Sequence, residues 1–112
     1  MRTVIIGCGD VGRCYAQALS EADHQIDDIF DVAPTSEISE FARDISANFN
    51  HELGDWLGQA DVVISAVYGG TALETFQKLS RFLKENALYI DLTTASVDCM
   101  QLAAARGKQK GI

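Results

Sequence analysis

Six consecutive residues constrain this chain more than any others: Gly7-Cys8-Gly9-Asp10-Val11-Gly12. They form a G-x-G-x-x-G pattern. A short β-branched run, Thr3 to Ile6, stands directly before it, and a stretch with helical spacing directly after. A strand must therefore turn sharply into a helix. Gly7 permits the tight turn, Gly9 lets a ligand approach the backbone, and Gly12 lets the helix pack closely on the strand. The helix then begins with unpaired N–H groups and about half a positive charge, which suits a pyrophosphate. The alternative is a glycine-rich turn with no ligand.

The rest of the chain alternates short apolar runs with amphipathic stretches. Val11 to Ala22 reads as a helix with Val11, Tyr15, Ala18, Leu19 and Ala22 at helical spacing. Gln25 to Phe30 reads as a strand. Pro34 and Ser36 open a helix with Ile38, Phe41, Ala42 and Ile45 on one face. Asn48 to Gly58 holds a short strand and one helical turn. Asp61 to Val67 is a buried strand broken by Gly69-Gly70, and a helix follows through Leu73, Phe76, Leu79 and Leu83. Ala87 to Leu92 is another strand. A last helix starts near Ser96 or Asp98 and ends before Gly107, taken as its cap, with Arg106 and Lys108 near the negative end of the dipole. The order β-α-β-α-(β)-β-α-β-α predicts an α/β fold. It is a doubly wound parallel sheet of the Rossmann type, in a single domain over residues 1–112.

Asp31 ends the second strand, nineteen residues after Gly12. A carboxylate there accepts a hydrogen bond from the adenosine ribose 2′-OH of NAD and repels the 2′-phosphate of NADP. No Arg or Lys follows before Arg43, so NAD is preferred over NADP. The alternative is an acid that only begins the polar turn before Pro34. Ligands of such sheets lie at the carboxyl ends of the strands. Val67 is therefore expected to pack on the cofactor, and Thr93 and Thr94 to hydrogen-bond its nicotinamide end or a substrate. Thr94 and Ser96 can equally be helix caps. Asp10 places a carboxylate beside the phosphate loop. It costs little if it faces solvent and weakens binding if it faces inward. Cys8 is either a thiol activated by the helix N-terminus or a small buried filler. Trp56 reads as packing.

The formal net charge of −7 argues against nucleic-acid or anionic-membrane partners. No run approaches the ~18 apolar residues of a membrane span. Only Val4-Ile5-Ile6 stands before the first glycine, too short for a signal-peptide core, so a cytoplasmic location is expected. The three cysteines form no C-x-x-C pair, which suits a reducing compartment. His24 and His51 are far apart, and no metal site is expected.

Three segments resemble the N-terminal domain of the 3-hydroxyacid dehydrogenase family, which includes 3-hydroxyisobutyrate and 6-phosphogluconate dehydrogenases. They are Val4 to Gly12, Ala60 to Val67, and Asp91-Leu92-Thr93-Thr94, which is similar to the family's D-x-S-T segment. The resemblance implies that Asp31 touches the ribose. It also implies that Val67 lies beside the nicotinamide ribose and that Thr93 replaces a substrate-contacting serine. Two positions depart from the family pattern: Tyr68 and Val97 stand where prolines are usual. In the family, a catalytic lysine and a helical substrate and dimerisation domain come later than residue 112. The resemblance therefore implies the cofactor half of a larger enzyme that transfers hydride between nicotinamide and a small hydroxyacid. This chain would bind cofactor without completing catalysis, having no identifiable base. The rival readings are a regulatory NAD-sensing module and a Rossmann domain that has lost cofactor binding. A short-chain reductase is disfavoured, since no Tyr-x-x-x-Lys pair occurs. A sheet that ends early exposes an edge, so a homodimer or a domain-swapped oligomer is expected.

Overall fold

The computed structural model describes residues 1–112. Strands and helices alternate as β1 (Thr3–Ile6), α1 (Asp10–Glu21), β2 (Asp28–Phe30), α2 (Ser36–Asp44), β3 (Asn48–Asn50), β4 (Val62–Ser65), α3 (Ala72–Leu79), β5 (Leu88–Asp91) and α4 (Val97–Gln109). Tight 3-10 turns occupy Asp55–Gln59 and Gly69–Thr71. All strand pairs are parallel, in the order β3-β2-β1-β4-β5. The chain is thus a doubly wound α/β domain, as the alternating pattern predicts. No helix is long and apolar enough to cross a membrane.

β1 lies at the centre, and all of its residues are buried. The strand period of two sends its side chains to opposite faces. Ile5 joins Ile29 and Ile64 on one face, beneath Ala16 of α1 and Ile38 and Ala42 of α2. Val4 and Ile6 join Val63 on the other, with Leu57 and Leu79. A strand covered on both faces can be apolar throughout, and Val4-Ile5-Ile6 is.

The structure corrects the expected face of α1. Val11 and Tyr15 are exposed, as are Ala18 and Ala22; the buried face is Gly12 and Ala16, with Leu19 partly buried. The helix approaches the sheet too closely for large side chains, so its smallest residues make the contact. The α2 face is as expected: Ile38 and Ala42 are buried, with Phe41 and Ile45 packed beside them. Strands β2, β4 and β5 are each shorter than the apolar runs that announce them. α3 ends at Leu79, although Leu83 still packs on the core.

Gly107 does not cap α4. It lies inside the helix, buried against Phe76, where a Cβ would come within 3.1 Å of the ring. The cap is Lys110, followed by the left-handed Gly111 at φ +80°, with Ile112 N–H donating to Gly107 O at 2.9 Å. Two other helices end the same way without glycine. Asp23 (φ 62°) follows α1, with His24 N–H on Leu19 O. Ser46 (φ 60°) follows α2, with Ala47 N–H on Ala42 O. The left-handed residue is set by these bonds, and glycine is only its cheapest occupant.

At the amino end of the sheet, Arg2 holds the buried Asp28 carboxylate by two bonds, at 2.8 and 3.1 Å. Asn48 adds a third at 3.3 Å. Asp27 accepts from Thr3 N–H at 2.8 Å. These contacts pin β1, β2 and β3 in register at the end of the sheet opposite the glycine loop.

Candidate functional site

The strand order reverses direction at β1: β2 lies on one side and β4 on the other. The helices that follow β1 and β4 therefore pack on opposite faces of the sheet, and a crevice opens outside the carboxyl ends of the two strands. Gly7 turns there at φ +91°, and its N–H donates to Phe30 O at 2.8 Å. A Cβ on Gly7 would lie 2.9 Å from Ala66 O, so the two loops touch. A Cβ on Gly12 would overlap the Gly7 carbonyl. Gly9 is different: φ is −78°, and nothing lies within 4 Å of where its Cβ would be. Two of the glycines serve packing, and the third leaves open space.

The backbone N–H groups of Gly9, Asp10, Val11 and Gly12 have no acceptor in the protein; the first helical bond is Arg13 N–H to Gly9 O at 3.0 Å. This donor set, with its space at Gly9, fits a pyrophosphate. Asp10 does not obstruct it. Its side chain is fully exposed, and the nearest cation is Arg13 at 4.0 Å.

Asp31 is held from two sides. One oxygen accepts Cys8 N–H at 2.8 Å, and the other accepts Ala33 N–H at 2.9 Å. The acid at the end of β2 thus fixes the glycine loop. A carboxylate has about four acceptor positions, so each oxygen keeps capacity for a ligand hydroxyl. A sequence pattern alone does not reveal the Cys8–Asp31 bond.

Thr93 and Thr94 follow β5. Thr93 N–H donates to Asp91 Oδ1 at 2.8 Å, and Thr93 Oγ1 accepts Ala95 N–H at 3.3 Å. The Thr93 hydroxyl therefore sits in a local turn and retains its own proton to donate. Thr94 is exposed and packs on Gly69, where a Cβ would come within 2.8 Å of the Thr94 carbonyl carbon and Oγ1. The loops after β4 and β5 thereby meet, beside the half-buried Val67. Gly69 is a contact that the sequence reading missed, since Gly69-Gly70 signals only a break. Ser96, not Thr94, caps α4, accepting Cys99 N–H at 3.2 Å. Tyr68 is 87% exposed and touches little. Trp56 packs at the rim of the core and donates to Glu52 O at 2.9 Å.

Arg13 was not singled out in the sequence. It reaches from α1 to α2 and pairs with Glu37 at 2.6 Å. Each partner stabilises the other's charged form: the Glu37 carboxyl is held below its ordinary range, and Arg13 is raised.

Cys8 is the buried filler, not an activated thiol. Burial pushes it up to about 11; Arg13 opposes this, and Asp31 and Glu37 add to it. Burial likewise pushes Tyr89 up to about 12. Both groups hold protons that the unfolded chain would release nearer 9 and 10. Stability is therefore full below about pH 9 and falls as pH rises towards 12. Thermal melts between pH 8 and 11 test this, and a midpoint that does not fall would refute it. At pH 8 a thiol reagent is expected to label the exposed Cys14 in the folded protein and to reach Cys8 only after denaturation.

An apolar hollow lies elsewhere. It is about 310 Å³ between β5, α3 and α4, lined mainly by apolar groups such as Phe76, Leu88, Met100 and Ile112. It has no donor set for phosphates. No cluster of His, Cys, Asp or Glu suits a metal ion.

A search of curated protein sequences found no match. Solved structures share the fold. A conserved protein from Sinorhizobium meliloti superposes with a TM-score of 0.84 at 22% identity, covering 99% of this chain and 39% of that one. The 3-hydroxyisobutyrate dehydrogenase of Mycobacterium tuberculosis gives 0.82 at 23% identity, covering 99% and 38%. A UDP-N-acetylglucosamine 3-dehydrogenase from Acidithiobacillus ferrooxidans gives 0.78 at 18%, covering 100% and 36%. This chain thus spans under two-fifths of the length of each of these proteins. The model of one family, described as the NAD binding domain of 6-phosphogluconate dehydrogenase, matches residues 2–112. With the glycine loop, the parallel sheet and the crevice in place, the chain belongs to that family of nicotinamide-dinucleotide-binding domains.

Proposed function

We propose that this chain binds NAD(H), in preference to NADP(H), as the cofactor half of a dehydrogenase acting on a small hydroxyacid. The observation that carries the reading is the Asp31 carboxylate, anchored 2.8 Å from Cys8 N at the mouth of the glycine loop. There it can accept from a ribose 2′-OH and repel a 2′-phosphate. The free N–H groups of Gly9 to Gly12 hold the pyrophosphate, Asp10 turning outward beside them. Val67 packs against the cofactor. Thr93 and Thr94 serve its nicotinamide end or the substrate. The bound dinucleotide supplies or accepts the hydride.

Oxidation of a hydroxyacid also needs a base for the hydroxyl proton. No lysine of this chain serves. Lys78 pairs with Glu74, Lys84 with Asp61, and Lys108 and Lys110 lie exposed at the end of α4. The chain is therefore expected to bind cofactor without turnover, the base coming from the rest of a longer protein. The edge strand β5 carries the exposed Leu88, and α4 after it the exposed Val97 and Leu102. Alone, such an edge favours self-association.

Titration with NADH and then NADPH tests the reading, followed by energy transfer from Trp56 to the reduced nicotinamide. Tighter binding of NADH is expected, and Asp31→Asn should narrow the difference by about tenfold. Binding of neither cofactor would sink the proposal. Steady hydroxyacid oxidation by the pure chain would sink the claim that it lacks its base.

A further inference from the structure

The charge around the ribose end is not set by Asp31 alone. Arg13 directly follows Gly12 in the first turns of α1, and Glu37 lies in the first turn of α2, just beyond the β2–α2 loop that contains Asp31. Their ion pair, at 2.6 Å, therefore bridges the first turns of the two helices that follow the glycine loop and the Asp31 loop, which bracket the candidate ribose position. In sequence, no cation follows Asp31 before Arg43; in space, the Arg13 guanidinium reaches the first turn of the helix that follows the same loop. The Arg13 side chain is 30% exposed and Glu37 is 72% exposed, so Glu37 is the outer, more solvated partner.

We propose that Glu37 is a specificity-determining residue: by occupying Arg13, it withholds from a 2′-phosphate the one guanidinium placed to receive it. This rests on the proposed binding of dinucleotide in the crevice. Arginine matches phosphate by paired N–H donors on a planar fork. A guanidinium already spent on a carboxylate offers that fork only if the first pair breaks. With Glu37 in place, Arg13 is neutralised at 2.6 Å with Asp10 a further carboxylate at 4.0 Å, Asp31 holds a negative charge at the glycine loop, and an added dianion meets net repulsion. Removing the Glu37 charge leaves Arg13 with only the distant Asp10, at 4.0 Å, and frees it for phosphate. NAD preference would then be enforced twice, by Asp31 refusing the phosphate and by Glu37 disarming the cation that could hold it.

The test compares NADH and NADPH dissociation constants for the parent, Glu37→Gln, and Glu37→Gln combined with Arg13→Ala, each first checked for fold by circular dichroism. The expected result is that Glu37→Gln lowers the NADPH-to-NADH ratio of dissociation constants by about tenfold. The double variant is expected to return that ratio to the parent's. Raised salt should shrink the gain, because it depends on an exposed charge. A merely structural bridge between α1 and α2 would weaken both cofactors together and leave the ratio unmoved. An unmoved ratio in Glu37→Gln overturns the inference while NADH binding by the parent still stands. Persistence of the gain in the double variant also overturns it, because Arg13 would not be the group responsible. Binding of neither cofactor by the parent overturns both this inference and the reading beneath it.

Discussion

Gly12→Ala is expected to destabilise the domain by about 3 kcal/mol or more, and to lower its melting temperature by roughly 10–20 °C. The added methyl would overlap the Gly7 carbonyl, with the Ala66 Cβ only 3.5 Å away. Neither obstacle is a flexible side chain. Gly7 is fixed by its bond to Phe30 O and by its contact with the β4 loop. α1 would have to lift from the sheet, and Ala16 would lose its place beneath Ile5 and Ile64. A small domain holds about 5–15 kcal/mol in total, so this one methyl consumes much of it. Differential scanning calorimetry is the check. A melting temperature within about 2 °C of the parent would show that the loop can yield, and that close helix–strand packing is not what requires glycine there.

Gly9→Ala is expected to do the opposite. Its φ of −78° suits any residue, and the new methyl meets nothing within 4 Å. Alanine lowers the entropy of the unfolded chain but is a poorer helix cap than glycine, so the two effects nearly cancel. The melting temperature is expected to stay within a few degrees. Cofactor binding should weaken by at least about tenfold, because the methyl enters the space through which phosphate oxygens reach the N–H groups. Calorimetry and an NADH titration on the same sample separate the outcomes. Unchanged NADH affinity would show that the pyrophosphate does not approach the loop at Gly9. The two glycines stand three residues apart in one motif, yet one is required by the fold and the other by the ligand.

Much of this was legible in the residues. Thr3 to Ile6 had to be a strand buried on both faces, and the glycines behind it had to form the turn into a helix. The α2 face was readable because Ile38, Phe41, Ala42 and Ile45 are large enough to mark it. The α1 face was not, because its buried residues are glycine and alanine, while Val11 and Tyr15 carry an apolar signal on the exposed side. The end of α4 was misplaced for a related reason. A glycine near a helix end suggests a cap, but Gly107 is needed for its lack of bulk against Phe76.

Local sequence therefore determined the strand–turn–helix unit, the alternation that makes a parallel doubly wound sheet, and the carboxylate at the end of β2. Those properties depend on side-chain period and backbone freedom over a few neighbouring residues. Only the tertiary structure decided which face of α1 is buried, that Asp31 clasps the Cys8 amide, that Gly69 receives Thr94, and that Arg13 meets Glu37. Each of the three contacts joins residues more than twenty positions apart. The sheet order brings them together at its carboxyl end, and no local pattern encodes that distance.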